Sequence, residues 1–274
     1  MEGASRRIVG GSKTITLVLM MTTHHESILD QFSRQAVSFS QSTGHTNEES
    51  LRLLMEMVGL VSEDIVLDVA CGTGIVACAF ARTARHVTGI DITPAMLEQA
   101  RLLSEAAGLT NLAWLQGDIE TLPFPDDSFS VVLSRYAFHH FLNPGLVLSE
   151  MVRVCRPGGR VLIADGCPPS DKADAYNQFE KLFDPSHHRA LTFEEFQELM
   201  TDRDLQEVRW ESYRMEMELE RHLAASFPNP GDKERLRQLF AADVGIDRLG
   251  VGAHRRGEEI HYAYPVMVLV ATKA

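Results

Sequence analysis

The stretch Val66-Leu67-Asp68-Val69-Ala70-Cys71-Gly72-Thr73-Gly74 decides how the rest of the chain is read. Ile65 to Val69 is a short β-branched run that stops at a glycine-rich turn, and Ile75 to Ala84 is Ala-rich and helical. Strand, loop and helix follow one another here. Glycines in such a turn let the backbone approach a ligand closely, and the next helix aims its free N–H groups into the same crevice. A nucleotide-like ligand fits that arrangement.

Outward from this unit the pattern repeats. His86 to Asp91 reads as the next strand, and Pro94 opens a helix with Met96, Leu97, Ala100 and Leu103 on one face, running to Ala107 and ended by Gly108. Leu112–Gln116, Ser130–Ser134 and Arg160–Asp165 are further strands, with a helix over Pro144–Val154. Strands alternating with helices predict a parallel sheet covered on both faces. The C-terminal part predicts two long strands, Leu205–Met217 and His261–Thr272, with helical, polar sequence between them over Arg221–Phe227 and Lys233–Val244. Residues 24–60 and 170–200 are also helical and amphipathic, and such additions cover the carboxyl ends of the strands, where ligands bind.

Of 274 residues, 45% are hydrophobic and 23% charged, the balance of a globular protein with a real core. With 26 basic against 38 acidic residues the net charge is -12, and no long Lys/Arg run offsets it, which argues against nucleic acid or an anionic lipid surface as a partner. The four cysteines, Cys71, Cys78, Cys155 and Cys167, lack CxxC spacing and read as reduced thiols, so the expected compartment is the cytoplasm. Arg6 and Arg7 before the apolar run Ile15–Met21 have the outline of an export leader, but the run is short and no small-residue cleavage site follows. Residues 1–23 are therefore expected to be a poorly ordered extension, and no segment is apolar enough to span a bilayer.

The glycine loop alone is ambiguous, because Gly72-Thr73-Gly74-Ile75-Val76-Ala77 also satisfies a relaxed dinucleotide fingerprint with Asp91 downstream. Asp68, however, stands at the strand end just before the turn, where it would repel a pyrophosphate and attract a cationic amine. Asp91 can accept from ribose hydroxyls, and Asp118 in Gly117-Asp118-Ile119 can accept from an adenine amino group. An NAD-linked oxidoreductase is further disfavoured because the residues four after Tyr136, Tyr176 and Tyr213 are His140, Glu180 and Met217, so no Tyr-x-x-x-Lys pair exists at these tyrosines.

On the runs LDVACGTG (67–74), GIDITPAMLEQAR (89–101), GDIETLPFPDDSFSVV (117–132), SRYAFHHF (134–141) and RVCRPGGRVLIAD (153–165), the chain resembles class I S-adenosylmethionine-dependent methyltransferases. Within them it looks most like the ubiquinone/menaquinone biosynthesis C-methyltransferase group. The resemblance implies a Rossmann-like α/β fold with a seven-stranded sheet, mostly parallel with an antiparallel last strand. It also implies a helical lid over residues 24–60, and a catalytic domain over 61–274 with insertions at about 168–203 and 219–256. It implies S-adenosylmethionine as cofactor, S-adenosylhomocysteine as product, and a cofactor site of Asp68, Ala70, Gly72, Gly74, Asp91, Ile92, Met96, Asp118, Ile119 and Ser134. Two positions depart from the family pattern: Ala70 replaces the first glycine of the loop, and Ser130 replaces an Asp and is expected to serve the strand start.

Methyl transfer is an in-line displacement, for which a protein supplies alignment and, where needed, a base. His139 and His140, after the fourth strand, are candidate bases, against the plainer reading of structural histidines at a loop. Asp184-Pro185-Ser186-His187-His188-Arg189 offers His187 as a third candidate and Arg189, with Arg135, as acceptor-binding groups; the plainer reading is a lid turn held by an Asp–Arg pair. The histidines lack a spaced third ligand, and no metal is expected. Gln31-Phe32 and the segment Phe39–His45 resemble the part that closes over the cofactor in these enzymes, where an aromatic ring could face the sulfonium; the plainer reading is an amphipathic helix burying Phe32 and Phe39 on the core. The expected acceptor is a small molecule, aromatic, quinone-like or isoprenoid, with C-, O-, S- and N-methylation all open; the pattern sets no oligomeric state. A protein of this fold that binds the cofactor without methylating is the alternative.

Overall fold

A computed structural model of the chain describes residues 11–40, 47–201 and 204–274. In chain order the elements are α1 (Gly11–Ser40), α2 (Glu48–Val58), β1 (Ile65–Val69), α3 (Ile75–Ala81), β2 (His86–Asp91), α4 (Pro94–Ala106), β3 (Leu112–Gln116) and β4 (Phe129–Arg135). A single 3-10 turn at Phe138–His140 precedes α5 (Pro144–Val154), β5 (Cys155–Gly166), α6 (Ala173–Phe183), α7 (Phe193–Thr201) and β6 (Leu205–Glu218). α8 (Leu219–Ala225), α9 (Asp232–Asp243), β7 (His254–Arg256) and β8 (Glu259–Lys273) complete the chain.

Among the described residues the strands form one sheet in the order β3-β2-β1-β4-β5-β8-β6. The first five are mutually parallel, and β8 runs antiparallel to both β5 and β6. The seven expected strands are all present, and a further three-residue strand, β7, forms a hairpin with β8. That eighth strand escapes sequence reading because it is too short to show alternation. α1 begins at Gly11 and thus runs across the boundary at residue 23 expected for an extension. Residues 1–10 and 41–46, the latter including most of the Phe39–His45 segment, lie outside the described residues.

Successive residues of a strand face opposite sides, so a parallel sheet buried on both faces needs apolar residues throughout. Leu67, Val69 and Val132 pack with Val147, Met151 and Phe196 from α5 and α7, while Val66 and Val131 pack with Leu54 and Phe80 from α2 and α3. A separate cluster of Tyr176, Phe179, Phe183, Leu236, Phe240 and Tyr262 sits beneath the helical additions. Ser130 works as expected at the start of β4: its hydroxyl donates to Asp64 and accepts from the Ile65 amide, 2.7 and 2.9 Å away. These cores fix the carboxyl ends of β1 to β5 as one rim, over which α1 lies against α4 and α8.

Candidate active site

The loop after β1 is held by backbone geometry. Ala70, Gly72 and Gly74 all have positive φ, at 57°, 52° and 75°. Gly74 has to be glycine, since a Cβ there would come within 2.5 Å of the Trp114 ring and 2.8 Å of Ala100 Cβ. Ala70 takes the same left-handed conformation with a side chain, at a cost of about 1–2 kcal/mol. Asp91, at the end of β2, fastens the loop: its two carboxylate oxygens accept from the amides of Gly72 and Thr93, each at 2.8 Å. Each oxygen carries a backbone bond and keeps one further acceptor site. Burial raises the Asp91 carboxyl above its ordinary value, and the two backbone bonds oppose that rise.

Above this loop lies a cleft of about 1060 Å³, its open mouth included. Of the expected cofactor residues, Ala70, Gly72, Asp91, Ile92, Met96, Asp118 and Ile119 line it. Asp68, Gly74 and Ser134 do not: Gly74 packs beneath the loop, and Ser134, fully buried, donates to the Val69 carbonyl at 2.8 Å and so ties β4 to β1. Asp68 is 2% exposed, and its Oδ2 has no hydrogen-bond partner. Burial pushes the Asp68 carboxyl up to about 8, with the Ala77 amide bond opposing and the Asp91 charge adding to the rise. Thr73, Thr93, His24, His25, Glu120 and Leu142 also line the cleft and were not singled out from sequence. Thr93 had a legible signal, since it precedes Pro94 at the start of a helix.

Arg135, expected on the acceptor side, lines this first cleft. Its guanidinium donates to Ser50 Oγ and the Tyr136 hydroxyl, at 2.9 and 3.2 Å, and lies 4.4 Å over the Tyr136 ring. Arg189 lines neither cavity; it is half-exposed and pairs with Glu195, not with Asp184, which accepts from the Ser186 amide and hydroxyl. The turn is therefore built around Ser186 and not around an Asp–Arg pair, because a short hydroxyl two residues on reaches Asp184 more readily than a long guanidinium.

A second chamber of about 840 Å³ adjoins the first, and Phe32, Phe39, Tyr136 and His140 line both. Tyr136 has φ 56°, a costly conformation for a bulky residue, which swings the chain from β4 into the 3-10 turn carrying the histidines. Asp165, at the end of β5 and beside β4 in the sheet, accepts from the amides of Phe138 and Gly166 and pairs with His139 Nδ1 at 2.6 Å. Burial pulls the His139 imidazole down, but the charge and hydrogen bond of Asp165 outweigh it and the net shift is upward. His140 is buried with Nδ1 3.1 Å from the Ser186 carbonyl, and burial together with His139 pushes it below its ordinary value. His187 donates through Nε2 to Asn177 Oδ1 at 2.7 Å, its Nδ1 has no partner, and burial keeps it neutral. All three histidines face the second chamber, with the His139 and His187 rings stacked 5.4 Å apart. Asp165, Glu180, His222 and Tyr264 are residues of this region that sequence reasoning missed; Asp165 alone had a signal, an acid at a strand end in the sheet's rim.

This glycine loop, acid-bearing rim and parallel sheet define an α/β protein of Rossmann-like architecture, and comparison with known proteins narrows the class. A protein-family model described as a methyltransferase domain matches residues 67–163. A ubiquinone/menaquinone biosynthesis C-methyltransferase, UbiE of Pseudomonas putida W619, is 30% identical over 204 residues, covering 72% of this chain and 71% of the relative. YcgJ of Bacillus subtilis, described as an uncharacterized methyltransferase, is 28% identical over 247 residues, 88% of this chain and 97% of its own. The crystal structure of YcgJ superposes with a TM-score of 0.76 over 83% of this chain and 99% of that one, at 26% identity. A malonyl-acyl-carrier-protein O-methyltransferase of Hamiltonella defensa is 29% identical over 250 residues, 88% of this chain and 87% of its own. The chain belongs to the class I S-adenosylmethionine-dependent methyltransferases, and it resembles the UbiE-like group within them. Among the described residues no helix is long and apolar enough to cross a membrane.

Proposed function

We propose that the protein methylates a small-molecule acceptor held in the second chamber, using S-adenosylmethionine held in the first cleft. The observation that carries this reading is the pair of adjoining cavities, which share Phe32, Phe39, Tyr136 and His140 as their common wall. An electrophile in one and a nucleophile in the other can meet only across that wall.

The residues present fit the cofactor. A buried, orphaned Asp68 Oδ2 calls for a donor or cation nearby, and Gly72 stands where a Cβ would meet nothing within 4 Å. Asp91 keeps acceptor sites for hydroxyls, Asp118 is free to accept through Oδ2 while its Oδ1 takes the Glu120 amide at 2.9 Å, and Ile92, Met96 and Ile119 offer apolar packing for a base. S-adenosylmethionine, when bound, supplies a methyl group on a cationic sulfur. The chain's own part is positioning and proton handling. Phe32 and Phe39 of α1 give the shared wall an apolar, aromatic face. Asp165 fixes His139 with its Nδ1–H on the carboxylate, which leaves Nε2 as a base for an acidic proton of the acceptor. His140 and His187, neutral and bound to a carbonyl and an amide, hold the chamber's shape rather than shuttle protons.

The test is transfer of labelled methyl from S-adenosylmethionine to quinone precursors and small phenols, with calorimetric titration of S-adenosylmethionine and S-adenosylhomocysteine alongside. Cofactor binding with methylated product supports the reading. Binding of neither nucleoside overturns it.

A further inference from the structure

The second chamber differs from the first in having no guanidinium or ammonium in its wall. Its wall contains two carboxylates, Glu180 and Asp184, and no Lys or Arg, whereas the first cleft carries Arg135. Asp184 is occupied by the Ser186 amide and hydroxyl. Glu180 is different: Oε1 accepts from the Tyr264 hydroxyl at 2.6 Å, and Oε2 takes no hydrogen bond from the described residues. Burial holds His140, His187 and His222 below their ordinary values, and His139, whose charge does reach Glu180, is paired with Asp165. Around Glu180 the walls are rings and thioethers: Phe32, Tyr176, Phe183, Tyr264, Met215 and Met217.

Resting on the reading of this chamber as the acceptor site, we propose that Glu180 is its specificity-determining residue, accepting a hydrogen bond from an uncharged, flat acceptor and barring acceptors that carry a carboxylate or phosphate. A carboxylate oxygen in the chamber wall without a protein donor rewards a ligand that brings an O–H or N–H. An anion placed there meets like charge with no Lys or Arg in the lining to offset it and with His139 paired to Asp165, and at short range that repulsion disfavours it. Burial already lifts the Glu180 carboxyl to about 7, with the Tyr264 bond and the His139 charge opposing, so the wall disfavours even its own negative charge.

The experiment measures binding to the full-length protein saturated with S-adenosylhomocysteine, at a pH where Glu180 is ionised. It uses matched probes: protocatechuamide against protocatechuate, and salicylamide against salicylate. We expect each amide to bind at least about tenfold more tightly than its carboxylate, and Glu180→Gln to shrink that ratio to about threefold or less. Glutamine is nearly isosteric and still offers Tyr264 an acceptor, and thermal melting checks that the variant folds. Met217→Trp, which fills the chamber from the partly buried β6 face, is expected to weaken both amides about tenfold or more. Carboxylates binding as tightly as the amides, or a ratio untouched by Glu180→Gln, overturns the role of Glu180 alone. Amides that fail to bind, or that bind Met217→Trp as well as wild type, overturn the acceptor reading of the chamber and this proposal with it.

Discussion

The two cavities are of similar size, about 1060 and 840 Å³, yet they are built in opposite ways. The first is a backbone site: left-handed turns at Ala70, Gly72 and Gly74, amides gathered on Asp91, and residues drawn mostly from one stretch between 70 and 142. The second is a side-chain site, with walls from α1, the 3-10 turn, β5, α6, β6, α8 and β8 that meet only in the folded chain. A backbone site constrains its ligand through geometry that many sequences can supply. A side-chain site changes ligand whenever its walls change, so one cofactor platform serves many acceptors.

If the cavities divide the labour in this way, substitutions in them have separable effects. The largest is expected at His139: His139→Ala should lower kcat by about 10²–10³ on the acceptor that the methyl-transfer screen returns, with calorimetric affinity for S-adenosylhomocysteine unchanged. A matching loss of cofactor affinity would break the division. Next comes Asp91→Ala, which strands the Gly72 and Thr93 amides and removes the ribose acceptor sites; titration should show S-adenosylmethionine binding weakened about 30-fold, worth about 2 kcal/mol.

Asp68 sharpens the comparison through pH. Its folded carboxyl is raised from 3.8 to about 8, so in the fold it keeps a proton that the unfolded chain releases. That contribution to stability is complete below pH of about 4 and is lost as pH rises to about 8. Melting curves of the cofactor-free protein should therefore show Asp68→Asn gaining on wild type across that window, and a constant difference would contradict the assignment. The smallest effect is expected at Ala70→Gly, where relief of the left-handed alanine should stabilise the protein by about 0.5–1 kcal/mol without changing cofactor affinity, as read from chemical denaturation.

The same contrast explains what the sequence disclosed. β1, β2 and β3 fall on their expected residues, 65–69, 86–91 and 112–116; for β1 and β2 the reason is that strands buried on both faces write themselves as largely apolar runs, while β3, at the sheet's edge, is half-exposed. Seven of the ten expected cofactor residues line the first cleft because each sits beside a turn that local sequence dictates. Ser134 misled because a hydroxyl at a strand end serves the neighbouring strand's carbonyl as readily as a ligand. Glu180 and Tyr264 were invisible for another reason: an acid in an amphipathic helix and a tyrosine in a C-terminal strand acquire meaning only when β8 inserts beside β5 and brings them within 2.6 Å. His139 was legible as a candidate; Asp165 was visible as an acid at a strand end, but that it orients His139 followed only from the β4–β5 register.

A crystal structure of the protein with S-adenosylhomocysteine tests the central claim most directly. The nucleoside is expected along Asp91, Ile92, Met96 and Asp118, with its sulfur turned to the wall formed by Phe32, Tyr136 and His140 and the second chamber left open beyond it. A sulfur directed away from that wall, or the nucleoside lodged in the second chamber, would contradict it.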